Sequence, residues 1–193
     1  MPFRPLPPTA GWQHRDARSG FEVAYFQAVD AGWVIDGTTT AVEDGRTWIV
    51  TYRVELDSAW RTRRARVGNR TVGGSRETEL ESYGTGSWLI NGVLAPGLSG
   101  CLDVDLEASA MTNTLPVHRL DLPAGARADA PAAYVRAVDL SVDRLDQTYQ
   151  RIADQDGRQR FSYSAPAFGF TSCLIFDESG LIVDYPGIAR RAG

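Results

Sequence analysis

The stretch from Trp48 to Leu56 reads Trp-Ile-Val-Thr-Tyr-Arg-Val-Glu-Leu and carries the clearest structural pattern in the chain. One face collects Trp48, Val50, Tyr52, Val54 and Leu56, whereas the other takes Ile49, Thr51, Arg53 and Glu55. Successive side chains of a β-strand point to opposite faces of the sheet. The alternation therefore predicts a strand with one face in a core and the other in solvent.

Comparable segments continue on both sides of this strand, and nearly all are bounded by Gly, Asp, Asn or Pro. Because the links between them have hairpin length, they predict a mostly antiparallel sheet and an all-β fold. The predicted strands are Phe21 to Val29, Trp33 to Val42, Trp60 to Val72, Arg76 to Tyr83, Ser87 to Ile90, Leu102 to Leu106, Arg144 to Ile152, Arg158 to Ser164, Phe168 to Phe176 and Leu181 to Tyr185.

Tight turns are predicted at three places where Asp-Gly or Asn-Gly separates extended segments. They are Asp44-Gly45, Asn91-Gly92 and Asp156-Gly157. Both central residues of such a turn need positive φ, which these residue types adopt at low steric cost. The segment from Ala132 to Ala137 is left open between a short helical turn and another strand, because its starting Pro favours a helix but its Val residues do not.

The size and charge of the chain indicate one soluble domain. With 193 residues and 43% hydrophobic residues, it is long enough for one core, so residues 1–193 are expected to form a single domain, with 1–12 as an extended N-terminal arm. All 20 basic residues are Arg, and the net charge is −4. An acidic chain without a stacking motif is not expected to bind nucleic acid.

Apolar runs in the sequence are short. The proline-rich stretch Met1 to Trp12 lacks the apolar run of a signal peptide, and no stretch approaches the roughly 18 apolar residues of a membrane span. A cytoplasmic protein with no integral membrane segment is therefore expected. Cys101 and Cys173 lack metal or redox spacing, so neither a metal site nor a cofactor is predicted. Whether these thiols are paired, and the oligomeric state, are left open.

Catalytic motifs are absent from the sequence, including nucleophile elbows, HExxH and glycine-rich phosphate loops. Only His14 and His118 could act as bases at neutral pH, and His14 lies beside the proline-rich arm. His118 is the better of the two, but no nucleophile is recognisable as its partner. An enzyme is therefore not the first interpretation.

The densest polar cluster begins on the predicted strand that contains Asp103 and Asp105. Alternation places these two carboxylates and Glu107 on one face, which is either solvated or part of a site. Asn113 and Arg119 follow, and Arg119 is the nearest permanent cation in sequence. Because a buried carboxylate needs a donor, Asp103, Asp105, Asn113 and Arg119 are predicted to come together.

A second charged stretch runs from Arg61 to Arg66 and contains four arginines. Alternation places Arg61 and Arg63 on one face and Arg64 and Arg66 on the other, so both faces are expected to be basic. Guanidinium groups bind phosphate or carboxylate head groups in a bidentate way. The alternative is an ordinary cross-strand charge match with Glu77, Glu79 and Glu81.

Several blocks of the sequence resemble a bacterial family described as "putative glycolipid-binding", and the resemblance covers nearly the whole chain. The blocks are Trp48 to Val67, Gly100 to Asp105, Thr112 to Leu120, Gln147 to Tyr149, Ala167 to Phe170 and Gly180 to Gly187. The resemblance implies a spiral β-roll, which is an open, curled, mostly antiparallel sheet shaped like the bacterial lipoprotein carriers. It also implies a hollow suited to a lipid.

Together these observations predict a non-enzymatic binder of an amphipathic lipid or glycolipid. Aromatic and aliphatic residues would contact the acyl part, and Arg, Asp and Asn would contact a negative or hydroxyl-rich head. An enzyme using the Asp103, Asp105, Asn113 and Arg119 cluster, or a protein-interaction module, is the alternative. The candidate ligand-binding residues are Trp48, Tyr52, Arg61, Arg63, Asp103, Asp105, Asn113, Arg119, Asp184 and Tyr185.

Overall fold

A computed structural model describes residues 3–192 and contains seventeen strands. In chain order they are β1 Thr9–His14, β2 Ser19–Val29, β3 Gly32–Glu43, β4 Arg46–Asp57, β5 Thr62–Thr71, β6 Gly74–Ser82, β7 Trp88–Ile90, β8 Val93–Leu94, β9 Asp103–Leu106, β10 Arg127–Asp129, β11 Ala132–Val135, β12 Val142–Leu145, β13 Thr148–Gln155, β14 Arg158–Ala165, β15 Phe170–Phe176, β16 Ile182–Tyr185 and β17 Ala189–Arg191.

Fourteen of these strands form one large curled sheet in the order β10-β13-β14-β15-β16-β17-β1-β2-β3-β4-β5-β6-β7-β8. Every pairing within it is antiparallel, and the two end strands do not pair with each other. Strand makes up 58% of the chain and helix 8%. The predicted all-β fold with one open, curled sheet is confirmed.

The N-terminal strand β1 joins the two halves of this sheet, because it pairs with β2 on one side and β17 on the other. It begins at Thr9, so the last residues of the expected arm belong to the sheet. Trp12 is fully buried, and its indole Nε1 donates a hydrogen bond of 2.8 Å to the carbonyl of Ile182. The described part of the arm before Thr9 has no regular structure.

Strand β4 shows why the alternation was informative. Its inward residues Trp48, Val50, Tyr52, Val54 and Leu56 are at most 4% exposed, whereas the residues between them face outward. The three predicted turns also form with positive φ at both central residues, for example 48° at Asp44 and 73° at Gly45. Pattern and turn chemistry together set the antiparallel register of β2 to β6.

A second sheet of three strands lies apart from the large sheet and has the order β12-β11-β9. We call it the inner sheet. Its β9 and β11 pair in parallel, which the antiparallel expectation did not include. The segment from Ala132, for which the sequence allowed either a helical turn or a strand, forms strand β11. The single strand predicted from Arg144 to Ile152 is wrong, because the chain leaves the inner sheet after Leu145 and enters the large sheet at Thr148.

Helical structure is limited to short pieces. One α-helix, α1, spans Thr114–Leu120, and three 3₁₀ helices span Pro96–Leu98, Met111–Asn113 and Pro166–Phe168. Within residues 3–192, no helix is long and apolar enough to cross a membrane. Cys101 and Cys173 are both free thiols, so they are not paired.

Candidate functional site

The inner sheet lies within the curl of the large sheet and is anchored there by polar residues on inward positions of β2, β3 and β5. The Thr39 hydroxyl donates to the carbonyl of Ala108 at 2.7 Å, and Asn69 donates to two carbonyls of the loop after β11. The buried carboxylate of Glu22 accepts the Ala110 N–H at 2.8 Å. These bonds satisfy backbone groups that would otherwise be buried without partners.

The concave side of the large sheet is therefore mostly filled, and one cavity of about 250 Å³ stays open beside the inner sheet. Aromatic side chains from β11, β14, β15, β16 and the Pro166–Phe168 turn form much of its wall; they are Tyr134, Tyr163, Phe168, Phe170 and Tyr185. Phe168 is 49% exposed and stands at the mouth, 5.4 Å between ring centroids from Tyr134.

Three of these rings pack directly on one another. The ring centroids of Tyr163, Phe170 and Tyr185 lie 5.9 to 6.2 Å apart, each pair edge to face. Edge-to-face contact is the arrangement that the quadrupoles of aromatic rings prefer. Burial raises the pKa of Tyr163 and Tyr185 above their usual range, so both phenols stay neutral at physiological pH.

Asp105 is the central polar residue of the cavity wall. Thr112 Oγ1 donates to its Oδ1 at 2.8 Å, and Gln147 Nε2 donates to its Oδ2 at 2.6 Å. Neither donor carries a charge. Burial raises the pKa of Asp105 to about 6, and the nearby carboxylate of Asp103 acts in the same direction. Asp105 is thus a fixed acceptor that titrates just below neutral pH.

Asn113 extends this network towards β13. The Tyr149 hydroxyl lies 2.9 Å from Asn113 Oδ1 and 3.1 Å from Gln147 Oε1, and its one proton bonds one of them. Tyr149 is itself only 1% exposed. The side chains of Asn113, Gln147 and Tyr149 therefore fix one another's orientation. Through Gln147 they also fix the orientation of the Asp105 carboxylate.

Arg18 supplies the cation nearest to the cavity, but its charge is already engaged. Its Nη1 donates to the carbonyl of Glu107 at 3.0 Å, and Nη2 lies 3.5 Å from a carboxylate oxygen of Glu43. The guanidinium also lies over the ring of Trp48, 5.2 Å from its centroid. With side-chain exposure of 6%, Arg18 acts mainly as part of the wall.

The second carboxylate of β9, Asp103, lies in a closed region behind Tyr149. Arg119 binds it in a bidentate way, with Nε at 2.9 Å from Oδ1 and Nη2 at 2.6 Å from Oδ2. The two side chains are 12% and 2% exposed. The space between Asp103 and Asp105 has no room for a water molecule. Burial raises the pKa of Asp103, and the Arg119 charge opposes this.

The comparisons with known proteins agree with this architecture. The sequence profile of a family described as "Putative glycolipid-binding" matches residues 9–191. The chain belongs to this family. The crystal structure of a DUF1089 family protein from Pseudomonas aeruginosa is 30% identical, with a TM-score of 0.77 over 89% of this chain and 92% of that one. The resemblance seen in the sequence is thus confirmed.

A second solved structure, more distant in sequence, shares the fold of this chain. It is a β-barrel-like protein of the domain of unknown function DUF1849 from Brucella abortus. It is 13% identical, with a TM-score of 0.52 over 98% of this chain and 95% of that one. Among curated proteins, none matches the chain.

Only some of the residues that the sequence predicted to bind the ligand line the cavity. Asp105, Asn113 and Tyr185 lie in its wall. Asp103 and Arg119 come together as predicted, but with each other rather than with a space for ligand.

The other predicted residues lie elsewhere. Trp48 and Tyr52 are buried in the core, where the Tyr52 hydroxyl donates to Glu22 at 2.7 Å. Asp184 does not line the cavity, and its Oδ1 lies 3.8 Å from an Arg15 nitrogen. Nothing in its strand pattern distinguishes it from its cavity-lining neighbour Tyr185.

The arginine stretch faces outward. A register shift after Glu55 leaves Arg63 as an extra residue, so Arg63, Arg64 and Arg66 are all on the outer surface and the expectation of two basic faces is wrong. Arg64 and Arg66 pair with Glu79, which is the cross-strand match considered for them. Arg61 and Arg63 contact the carbonyls of the loop after β6.

Several residues of the wall were not among the predicted ligand contacts; the charged and aromatic ones are Arg18, Glu107, Tyr134, Tyr163, Phe168 and Phe170. Phe168 and Phe170 belong to a block that carried the family resemblance, which was the available signal. Tyr163 lies in phase with Phe161 and Ala165 on β14, so it could be assigned to the inner face, but not to a cavity. His118 does not line the cavity, and its ring stacks on Trp60 with 3.8 Å between the ring centroids.

Proposed function

We propose that this protein binds an amphipathic lipid or glycolipid and places the polar part of that ligand in the cavity beside the inner sheet. The observation that supports this is the wall itself, in which aromatic rings surround a few convergent polar groups. Small-molecule sites typically combine apolar surface with a small number of fixed hydrogen-bonding groups. Asp105 and Asn113 are such groups, because each is held by neighbours in one orientation.

The size of the cavity decides which part of the ligand enters. An engineered cavity of about 150 Å³ accommodates benzene, whereas sites for whole drug-sized ligands begin at about 300 Å³. A space of about 250 Å³ suits a substituted ring and is small for a long acyl chain. We therefore place the acyl part outside, beyond the exposed ring of Phe168.

Filling the cavity tests this function. Ala165 lines it at the end of β14 and is 1% exposed, so Ala165→Phe would occupy the space. Native mass spectrometry of the purified protein should show co-purified amphiphile, and calorimetric titration of octyl glucoside below its micelle concentration should show one saturable site. Both signals should disappear in Ala165→Phe.

The matched control is Ala28→Phe, because Ala28 is exposed on β2 and far from the cavity wall. Circular dichroism checks that both variants fold, and Ala165→Leu replaces the Phe variant if it does not. Binding that persists in a folded, filled variant, or the absence of saturable binding in the unmodified protein, would show that the cavity is not a ligand site. Release of a changed ligand in the same titrations would instead identify an enzyme.

A further inference from the structure

We propose that the head group bound in this cavity is an uncharged, hydroxyl-bearing ring, and that Asp105 is the residue that selects it over an anionic head. This inference rests on the proposed function and names the chemistry of its ligand. It differs from the sequence-based expectation, in which arginines were to bind a negative or hydroxyl-rich head. The difference comes from where the charged side chains lie.

The charge of the wall disfavours an anion. Asp105 and Glu107 both line the cavity, and Arg18 is the one cation among the described residues of its wall. The Arg18 guanidinium donates to the Glu107 carbonyl and forms an ion pair with Glu43, and its Nε is buried without a hydrogen-bond partner. A phosphate, sulfate or carboxylate head would therefore meet one or two carboxylates, with a single guanidinium, itself already paired with Glu43, to offset them.

The arginines that could have bound an anion lie elsewhere. Arg119 is bound to Asp103 in the closed region, and Arg61 and Arg63 contact carbonyls on the outer side of the large sheet. None of these three lines the cavity. An anionic head could reach one of them only by disrupting a bidentate buried pair or by binding outside the hollow.

Hydroxyl groups match the groups that remain. Each carboxylate oxygen of Asp105 accepts one bond from the protein and keeps acceptor capacity for a ligand hydroxyl. The neutral phenol of Tyr185 accepts from Tyr163 and can donate its own proton to a ligand oxygen. The faces of the surrounding rings suit the apolar C–H surface of a sugar or cyclitol.

A quaternary ammonium is the main competitor, because aromatic cages with a carboxylate bind such cations. The rings of Tyr163, Phe170 and Tyr185 are in edge-to-face contact, which leaves no space for a cation between them. A quaternary ammonium also has no donor for Asp105 and no acceptor for the phenols. The wall is therefore better matched to a polyol.

Three amphiphiles with the same chain separate these possibilities: octyl glucoside, octyl sulfate and octyltrimethylammonium. Each is titrated calorimetrically into the full chain below its micelle concentration. We expect octyl glucoside to bind at least tenfold more tightly than the other two. Asp105→Asn should weaken octyl glucoside about tenfold and reduce its preference over octyl sulfate, since the variant removes the negative charge but keeps the shape.

The matched control is Asp36→Asn, because Asp36 lies on the outer face of β3 with 48% side-chain exposure and pairs with Arg53. It should leave all three affinities unchanged. Equal binding of octyl sulfate at the same site, tighter binding of octyltrimethylammonium, or an unchanged preference in Asp105→Asn would overturn the inference while leaving the proposed function in place. Absence of binding by all three would overturn both.

Discussion

The two faces of the inner sheet differ in the kind of side chain that each carries. Val104, Ala133 and Val135 point to one face and are at most 2% exposed, as in an ordinary core. Asp103, Asp105 and Tyr134 point to the other, which carries polar groups inside the curl of the large sheet. One face contributes burial of apolar surface, and the other positions hydrogen-bonding groups.

The polar face is itself divided between a closed half and an open half. Asp103, in the closed half, is neutralised by Arg119, whereas Asp105, in the open half, is held by the neutral donors of Thr112 and Gln147. The two carboxylates are only two residues apart. A paired carboxylate in a closed space serves structure, and an unpaired one beside a cavity is available to a ligand.

The largest effect on stability is expected from Arg119→Ala. Removing one partner of a buried ion pair leaves Asp103 uncompensated, which should lower the free energy of unfolding by about 3 to 5 kcal/mol. Urea denaturation measures it. Arg66→Ala is the control, because its pairing with Glu79 is exposed and should leave the free energy of unfolding nearly unchanged. A loss below 1 kcal/mol for Arg119→Ala would mean that solvent reaches Asp103 and that this half of the polar face is not closed.

Asp105→Asn should have the next largest effect, and in the opposite direction. The pKa of Asp105 is raised from 3.8 to about 6 in the folded protein, so the folded state binds more protons and loses stability as pH rises through this window. The variant removes that loss. The free energy of unfolding of the variant, relative to that of the unmodified protein, should rise by up to about 1.4 kcal/mol per pH unit between pH 4 and 6 and then level off.

Denaturation of both proteins at several pH values measures this difference directly. An Asn side chain can keep the two bonds, accepting from Gln147 and donating to Thr112, so the comparison isolates the charge. Asp36→Asn again controls for the substitution, since Asp36 is exposed on the outer face of β3. Parallel pH profiles for Asp105→Asn and the unmodified protein would indicate that Asp105 is as well solvated as a surface carboxylate.

On the apolar face, Val135→Ala should lower the free energy of unfolding by about 2 kcal/mol, from lost burial and the small cavity left behind. Val135 is 2% exposed, whereas Val138 in the following loop is 43% exposed. Val138→Ala is therefore the control and should change stability by at most about 0.5 kcal/mol. If Val135→Ala also altered binding of octyl glucoside, the two faces would not be functionally separate.

Much of the large sheet could be predicted, because β2 to β6 combine strict alternation with turn residues that need positive φ. The inner elements could not. Helix α1 has only seven residues and contains Pro116, so it shows no helical period and depends on burial of its first four residues. The break between β12 and β13 falls at Gln147, a polar residue whose burial becomes understandable only through its bond to Asp105.

The candidate site shows the same limit. Alternation placed Asp103 and Asp105 on one face, which is correct, but it could not reveal that only Asp105 lines the open cavity. Tyr134 and Tyr163 meet at the cavity only because the sheet curls around the inner strands. Sequence spacing contains no measure of that curvature.

The smallest effect on stability is expected at the mouth of the open half. Phe168 is 49% exposed and its ring contacts Tyr134, so Phe168→Ala should cost about 1 kcal/mol or less in unfolding free energy. Its effect on binding should be of similar size, about a fivefold loss of affinity for octyl glucoside, because one wall of the site is removed. Phe21→Ala is the matched control, since Phe21 is 41% exposed on the outer face of β2 and should alter neither binding nor, beyond about 0.5 kcal/mol, stability. If Phe168→Ala bound octyl glucoside as tightly as the unmodified protein, the ligand would have to lie deeper in the cavity, towards Asp105. The rim at Phe168 would then have no role in recognition.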